Sequence, residues 1–335
     1  MKKRVMSVLS VLLVLGMLAA CGGEKSPVSA APESSVPESS APAPATDWPT
    51  KPITVIVPGG AGGDTDLNTR IFCKYLQDEV GQTVVVTNIK GMAVAIEEFK
   101  NAAPDGYTAY VHHPGLFVAS QLGTVNDSWK DFRTVGAYAV DRQSAWFVSK
   151  DAPYMTLDEL AEASKSAPIG FATEVGSMSH LTELMFMDLV EGSQFNIVDA
   201  GGAADKITAL MSGQLDLMFN QVGLVKDYLK NGDFVCLGIM AEERSEANPD
   251  IPTFKEQGYD IVLDKPFFWL FPAGTDDAVM AAAEEAFQNV FANEAYASEL
   301  LETMQTVPGN MTTEESVAYM SDIDAQYAEL IAAIK

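Results

Sequence analysis

Short β-branched runs, each followed by a loop and then a helical repeat, constrain the fold of this chain more than any other feature. Residues 53–57 are Ile-Thr-Val-Ile-Val, the pattern of a buried strand, and the glycine-rich loop 58–66 follows them. Apolar residues then recur at helical spacing from Leu67 to Val80. Because helices that alternate with strands cover both faces of a sheet, this pattern favours an α/β domain with a mainly parallel sheet.

The alternation continues and then restarts near Trp146, which indicates a second α/β unit. Further strands are predicted at residues 83–87, 107–112, 169–173, 195–198, 215–219, 233–240 and 267–271. Helices are predicted at residues 93–102, 156–164, 179–190 and 203–211, with more helices toward the C-terminus. The last helix is indicated by one apolar stripe, formed by Val317, Met320, Ile323, Tyr327, Leu330 and Ile334.

This organisation predicts two domains. Residues 48–146 and 242–335 are expected to form domain 1, because the C-terminal helices have no sheet of their own and would pack on the first unit. Residues 147–241 are expected to form domain 2. Two domains that are joined by two crossings of the chain form a cleft, and such clefts close around ligands.

The N-terminus predicts export and attachment to a membrane. Three basic residues at positions 2–4 precede an apolar run, residues 8–18, that is too short for a comfortable membrane span. The tetrad Leu18-Ala19-Ala20-Cys21 resembles the bacterial lipoprotein signal, in which residues 1–20 would be removed and Cys21 lipidated. An ordinary secretory signal with a chance cysteine is the alternative. Residues 21–47 are rich in Ser, Pro, Ala and Glu, so we expect a disordered tether at the extracytoplasmic face of the cell membrane.

The charge of the chain excludes several partners. The formal net charge is −25, and cleavage before Cys21 would leave 18 bases against 46 acids, or −28. Such a body repels nucleic acid and anionic lipid headgroups. Cys73 and Cys236 are the cysteines that remain after Cys21, and their wide separation leaves either a disulfide or a buried thiol open. The protein is expected to be a monomer.

Three strand–loop–helix junctions are candidates for anion binding, because glycine lets the backbone approach a ligand and the first N–H groups of a helix point toward it. They are residues 58–66, 173–180 and 199–203, each at the carboxyl end of a predicted strand, where open α/β sheets bind ligands. The first junction matches neither a phosphate-binding P-loop nor a dinucleotide-binding glycine motif. The predicted ligand-binding residues are Gly59, Gly60, Ala61, Gly62, Gly63, Asp66, His113, Thr173, Gly176, Ser177, His180, Asp199, Gly201, Gly202 and Asn220.

Several separate motifs occur in an order that chance would seldom produce. They are Trp48–Ile53, Pro58–Asp66 with Arg70, Ala103–Thr108, Gly176–Ser177 with His180–Leu181, Gly213–Asp216, and Pro249–Phe254 with Glu256–Gly258. In these motifs the chain resembles the extracytoplasmic solute receptors of tripartite tricarboxylate transporters, the Bug-type family, over residues 48–335. The resemblance implies a two-domain periplasmic-binding-protein fold of type II. It also implies a small carboxylate ligand, held largely by backbone amides and water, and delivery to membrane permease subunits.

The chain departs from this family where the ligand is expected. Met92–Val94 stands in place of an Ala-Gly-Gly-like run, and Asp199 lies near the usual position of an aromatic residue. The three loops contain no Lys or Arg, so a tricarboxylate would meet carboxylates without a compensating cation, at a high cost if it were desolvated. We therefore hypothesise a ligand with one or two carboxylates, to which an amino or hydroxyl group facing Asp199 would be suited.

An enzyme is the main rival class, but the chain offers few catalytic groups. His112 and His113 are adjacent, so in a strand they face opposite sides and cannot easily share one metal ion. Ser177 and His180 lack the G-x-S-x-G elbow of a hydrolase. We expect no catalytic residue, metal or cofactor. A ligand-sensing or protein-docking lipoprotein without a transport role is the alternative to a transport receptor.

Overall fold

In the computed structural model, which describes residues 46–334, the chain forms a six-stranded and a five-stranded sheet. The described strands are β1 (Ile53–Pro58), β2 (Val84–Ile89), β3 (Thr108–His112), β4 (Arg133–Asp141), β5 (Ser144–Ser149), β6 (Ile169–Ala172), β7 (Phe195–Val198), β8 (Leu217–Gln221), β9 (Phe234–Ile239), β10 (Lys265–Phe271) and β11 (Val307–Pro308). The described helices are α1 (Asp64–Val80), α2 (Met92–Lys100), α3 (Gly115–Leu122), α4 (Leu157–Ser166), α5 (Met178–Leu189), α6 (Ala203–Met211), α7 (Val222–Asn231), α8 (Asp277–Phe291), α9 (Glu294–Met304) and α10 (Thr313–Ile334).

The two sheets have the same arrangement of strands, except that the first has one more strand at its edge. The first runs β2-β1-β3-β10-β4-β11 and the second β7-β6-β8-β5-β9. In each sheet three parallel strands are followed by one antiparallel strand, β10 or β5, that separates them from the next strand. The chain passes from the first sheet to the second between β4 and β5 and returns between β9 and β10. The predicted α/β class with two sheets and two crossings is confirmed.

We call residues 46–141 with 265–334 the first lobe and residues 144–239 the second lobe, because each holds all the strands of one sheet. The predicted start of domain 2, residue 147, lies inside β5, which pairs only with β8 and β9 among the described strands. The domain boundaries themselves stay a prediction.

The C-terminal helices pack against the first lobe. Helices α8 and α9 lie against α1, while α10 lies against β4 and α3 and also reaches α5 of the second lobe. The expected apolar stripe of α10 is correct for Met320, Ile323 and Tyr327, which are buried. It is wrong at Val317, which is 36% exposed, and Ile331 is buried beyond it. The side chain of Ile334 lies outside the described residues.

The sequence did not predict β4, α3 or α7. Strand β4 contains Gly136, Ala137 and Ala139, residue types with low strand propensity. Its position is set by tertiary packing, because β4 pairs with both β10 and β11, and a Cβ atom at Gly136 would lie 3.4 Å from Ser316 Oγ of α10. Packing against α10 therefore requires a small residue at Gly136, and the local sequence pattern does not reveal this requirement.

Two of the sequence motifs contact each other at the start of the described chain. Trp48 Nε1 donates to the Gly106 carbonyl at 3.1 Å, and Lys51 pairs with Asp105 at 3.0 Å. Gly106 has a φ of +77°, and a Cβ atom there would lie 2.8 Å from Trp48 Nε1. The Trp48–Ile53 and Ala103–Thr108 motifs thus form one structural unit.

The structure tests the possible disulfide but not the predicted N-terminal signal and lipid anchor. Cys73 and Cys236 are both free thiols, so the possible disulfide does not form, and Cys73 is buried in the first lobe. The predicted signal peptide, Cys21 and almost all of the tether lie outside the described residues. No described helix combines the length and apolar character needed to cross a membrane.

Candidate functional site

The predicted loops lie at the carboxyl ends of parallel strands in both lobes. Loop 59–63 joins β1 to α1, loop 173–177 joins β6 to α5, and loop 199–202 joins β7 to α6. The second loop contacts the first lobe, because a Cβ atom on Gly176 would lie 2.6 Å from Thr124 Oγ1, just after the end of α3. The φ of Gly176 is +86°, a backbone conformation that favours glycine, and the closeness of Thr124 leaves no room for a side chain. We call the space bounded by these loops the cleft.

Asp66 organises the first loop from within. Its carboxylate accepts hydrogen bonds from Gly62 N at 2.8 Å, Arg70 Nε at 2.9 Å and Asn88 Nδ2 at 3.0 Å. Burial by itself raises the pKa of Asp66, but these donors outweigh it and hold the pKa below its ordinary value. The predicted contact of Asp66 with a ligand stays a prediction, since its oxygens already accept three hydrogen bonds.

The first loop leaves several backbone donors unused. Gly59 N donates to Ile89 O at 2.9 Å, and Gly62 N donates to Asp66. Among the described residues, the N–H groups of Gly60, Ala61 and Gly63 have no acceptor. These groups precede the N-terminus of α1, where unpaired donors and the helix dipole favour an anion.

Lys265 introduces a cation that the sequence did not place at the cleft. Its side chain is only 2% exposed, and its Nζ contacts Asp64 Oδ2 and lies 3.8 Å from Asp141 Oδ2. Burial raises the pKa of Asp64, but the adjacent Lys265 charge outweighs it and holds that pKa well below its ordinary value. Asp141 also accepts from Gln143 N at 2.7 Å and Ser144 Oγ at 2.8 Å, at the crossing into the second lobe. Lys265 is therefore fully occupied by carboxylates of its own lobe.

His112 and His113 are neutral donors beside this ion cluster. His112 Nδ1 accepts from His113 N at 2.7 Å, and His113 Nδ1 accepts from Gly115 N at 3.0 Å. Burial lowers the pKa of His112 to about 4. Burial also lowers the pKa of His113, and the neighbouring His112 and Lys265 add to the effect. Each neutral ring then carries its proton on Nε2, so each can donate one hydrogen bond there.

The second loop carries a cluster of hydroxyl groups at the start of α5. Ser179 Oγ lies 3.0 Å from Thr173 Oγ1 and 2.9 Å from Ser177 Oγ. Ser177 is also the N-cap of α5, since its Oγ accepts from His180 N at 3.3 Å. His180 Nδ1 in turn accepts from Gly176 N at 3.3 Å, and burial lowers the pKa of His180. These hydrogen bonds fix the conformation of the second loop and place three hydroxyl groups together at the start of α5.

Lys206 brings a second cation to the cleft, from the first turn of α6. Its Nζ lies 3.4 Å from Ser179 Oγ, and no carboxylate of the described chain lies within 4 Å of it. Burial lowers the pKa of Lys206, and the Lys265 charge adds to the effect. Asp64 of the first lobe, with Glu174 and Asp199 of the second, acts in the opposite direction. Lys206 therefore lies within electrostatic reach of charged groups on both lobes.

The third loop is held largely by its own hydrogen bonds. Gly201 N donates to Asp199 Oδ1 and Gly202 N donates to Asp205 Oδ2, both at 3.1 Å. Asn220 Nδ2 donates to Ala203 O at 3.4 Å, which ties the end of β8 to the start of α6. Asp199 is exposed. The expected ligand contacts of these residues stay predictions.

The sequence analysis did not identify Lys206 or Lys265. Lys206 could have been found from the sequence, because it lies in the first turn of the predicted helix that follows the third loop. Lys265 had none, because it reaches Asp64 only through the pairing of β10 beside β3 and β4.

Comparison with known proteins gives one family and one fold. The model of the tripartite tricarboxylate transporter family receptor matches residues 69–335. Protein BugT of Bordetella pertussis is 25% identical over 339 residues, which cover 97% of this chain and 98% of that protein. The periplasmic binding protein BugD has a structure that is 26% identical and covers 86% of this chain and 98% of its own, with a TM-score of 0.79. A Rhodopseudomonas palustris protein with bound malate is 23% identical, covers 85% of this chain and 100% of its own, and supports the fold with a TM-score of 0.78.

Proposed function

Because this chain belongs to the tripartite tricarboxylate transporter receptor family, a family of extracytoplasmic solute-binding proteins rather than enzymes, we propose that it captures a small carboxylate in its cleft. We propose further that it delivers the ligand to the membrane permease subunits of such a transporter. In this proposal it acts as a monomer attached to the membrane by lipid on Cys21.

The donor-rich lining of the cleft carries this proposal. In this proposal the unused N–H groups of loop 59–63 in the first lobe, and the hydroxyls and the Lys206 ammonium of the second lobe, bind the ligand between them. The acids of the first loop are already compensated, since Asp64 contacts Lys265 and Asp66 contacts Arg70. Surplus donors and one uncompensated cation suit an anion with several acceptor oxygens.

One or two carboxylates match this lining best. The loops themselves contain no Lys or Arg, but Lys206 supplies one positive charge from α6, next to the second loop. A third carboxylate would add negative charge near Glu174 and Asp199 without a further free cation among the groups described above. An amino or hydroxyl group on the ligand would be placed well to meet Asp199. The relative with bound malate, a hydroxy-dicarboxylate, supports the choice of ligand class.

A binding screen tests the proposal. The full chain, purified in detergent, would be freed of ligand by unfolding and refolding and then screened by thermal shift. The panel would contain mono-, di- and tricarboxylates, amino acids and aromatic acids. A true ligand at a hundred times its dissociation constant adds about 2.7 kcal/mol to the free energy of unfolding. Tighter binding of citrate than of every mono- and dicarboxylate would contradict the proposed ligand class. Silence across the panel would favour a protein-docking role.

A further inference from the structure

We propose that Lys206 is a specificity-determining residue, which forms a direct ion pair with a second carboxylate of the ligand and so selects diacids over singly charged acids. The inference rests on the proposed carboxylate-binding function and assigns one part of it to a single side chain. The first carboxylate would bind the free N–H groups of loop 59–63.

The immediate surroundings of Lys206 lack the partner that a half-buried ammonium group needs. An ammonium group has three N–H donors. Here a single long hydrogen bond, 3.4 Å to Ser179 Oγ, is the only hydrogen bond of Nζ among the described residues. Burial lowers the pKa of Lys206, because water solvates its charge less well there than in the unfolded chain. A carboxylate oxygen would satisfy both needs at once.

Other donors converge on the same point. Ser179 Oγ, the hydrogen-bond partner of Lys206, also lies within 3.0 Å of Thr173 Oγ1. Ser179 is the second residue of α5, and its N–H and that of Met178 have no acceptor among the described residues. An ammonium group, hydroxyls and the N-terminus of a helix therefore surround one small volume at the second-lobe wall of the cleft.

Lys265 cannot serve this purpose in place of Lys206. It is 2% exposed, contacts Asp64 and lies near Asp141, so its charge is balanced within the first lobe. Arg70, at the first loop, is likewise paired with Asp66 and bonded to Asn88 Oδ1 at 3.0 Å. Of these three cations, Lys206 alone has no carboxylate partner among the described residues.

The test compares diacids with matched monoamides, which keep the size and the hydrogen-bonding groups but lose one charge. Malonate, succinate, glutarate, adipate and their monoamides would be titrated calorimetrically into the ligand-free full chain. We expect at least one diacid to bind about 10- to 100-fold more tightly than its monoamide, the effect of one hydrogen bond to a charged group. Lys206→Met should remove this preference and leave the affinity for the monoamide within about threefold.

Two further variants serve as controls. Lys230→Met removes one exposed positive charge from the same lobe, at α7, and should leave the preference unchanged. Lys206→Arg keeps the charge and should retain most of the preference. Equal loss of diacid and monoamide binding in Lys206→Met, or no loss of either, would overturn the role of Lys206.

The outcomes separate this inference from the proposed function. If the unaltered protein binds monoamides as tightly as diacids, it is a carboxylate receptor and the inference about Lys206 fails. If it binds neither series nor any other carboxylate, both proposals fail. Circular dichroism of each variant would confirm that a loss of binding does not reflect unfolding.

Discussion

The two lobes each place a lysine at the cleft, and the two lysines differ in what surrounds them. Lys265 of the first lobe is 2% exposed and lies against Asp64 and Asp141. Lys206 of the second lobe is half-buried, and within residues 46–334 its Nζ makes one hydrogen bond, 3.4 Å to Ser179 Oγ. Removing a buried charge from partners that are already in place leaves those partners uncompensated and destabilises the fold, whereas a charge left without a partner at a cleft can pair with a ligand.

Removing the Lys265 ammonium should have the largest effect on stability. Lys265→Met would leave Asp64 and Asp141 at the lobe crossing without their cation, so we expect a loss of about 3–5 kcal/mol in the free energy of unfolding. Urea denaturation at pH 7 measures it.

Lys165→Met is the matched control, because Lys165 pairs with Glu162 on the surface at 2.7 Å. It should change stability by less than about 0.5 kcal/mol. If the two variants lost equal stability, the buried cluster would have no special role in stabilising the first lobe.

The buried acid Glu183 should give the next largest effect, a loss of stability as the pH rises. It lies on α5, is 4% exposed, and its Oε2 has no hydrogen-bond partner among the described residues. Burial raises the pKa of Glu183 to about 7. The folded state therefore prefers the protonated acid, and stability is lost as the pH rises from about 4.5 through about 7. Glu183→Gln should stabilise the protein at pH 8 by about 1–3 kcal/mol and change little at pH 4.

His112 of the first lobe acts in the other direction. Its folded pKa of about 4 is below the ordinary value of 6.5, so its contribution to stability is complete above that ordinary value and is lost as the pH falls toward 4. Unfolding free energies of Glu183→Gln between pH 4 and 8 should therefore show the rising slope of His112 more clearly. A profile identical to that of the unaltered protein would contradict the assignment of the buried acid.

Disturbing the contact between the lobes at Gly176 should cost less stability than Lys265→Met. Gly176→Ala forces a Cβ atom into a backbone with a φ of +86° and to 2.6 Å from Thr124 Oγ1, so we expect a cost of about 1–3 kcal/mol together with weaker ligand binding. Gly213→Ala separates the two causes, because Gly213 has a φ of +72° but no atom within 4 Å of the added Cβ. Equal losses in both variants would mean that the contact between the lobes contributes nothing.

The outline of the fold could be predicted because its signals are local. Strand β7 and helix α6 have the predicted ends, and the helix predicted from residue 156 is α4, capped by Thr156, whose Oγ1 accepts from Glu159 N at 3.2 Å. The loop predicted for residues 58–66 is shorter than expected, because Asp64, Thr65 and Asp66 form the first turn of α1 and Gly63 is its N-cap. Each of these features depends on residues within a few positions of one another.

The candidate site was less predictable, because its charges come from distant parts of the chain. Lys265 and Asp64 are 201 residues apart, and only the register of β10 brings them together. The three loops themselves contain no Lys or Arg, as the sequence showed, but Lys206 and Lys265 bring positive charge to them from α6 and β10. A sequence pattern shows which residues start a helix, but it does not show which side chain from another strand will reach them.

The smallest expected effect completes the comparison of the two lysines. In the absence of ligand, Lys206→Met removes a half-buried charge whose only hydrogen bond in the described part of the chain is the 3.4 Å contact to Ser179 Oγ. We therefore expect the free energy of unfolding to stay within about 0.5 kcal/mol or to rise slightly. Urea denaturation of the ligand-free protein, beside Lys265→Met, gives the measurement. A loss that approached that of Lys265→Met would mean that Lys206 holds the second lobe together, and its role as the free cation of the cleft would have to be abandoned.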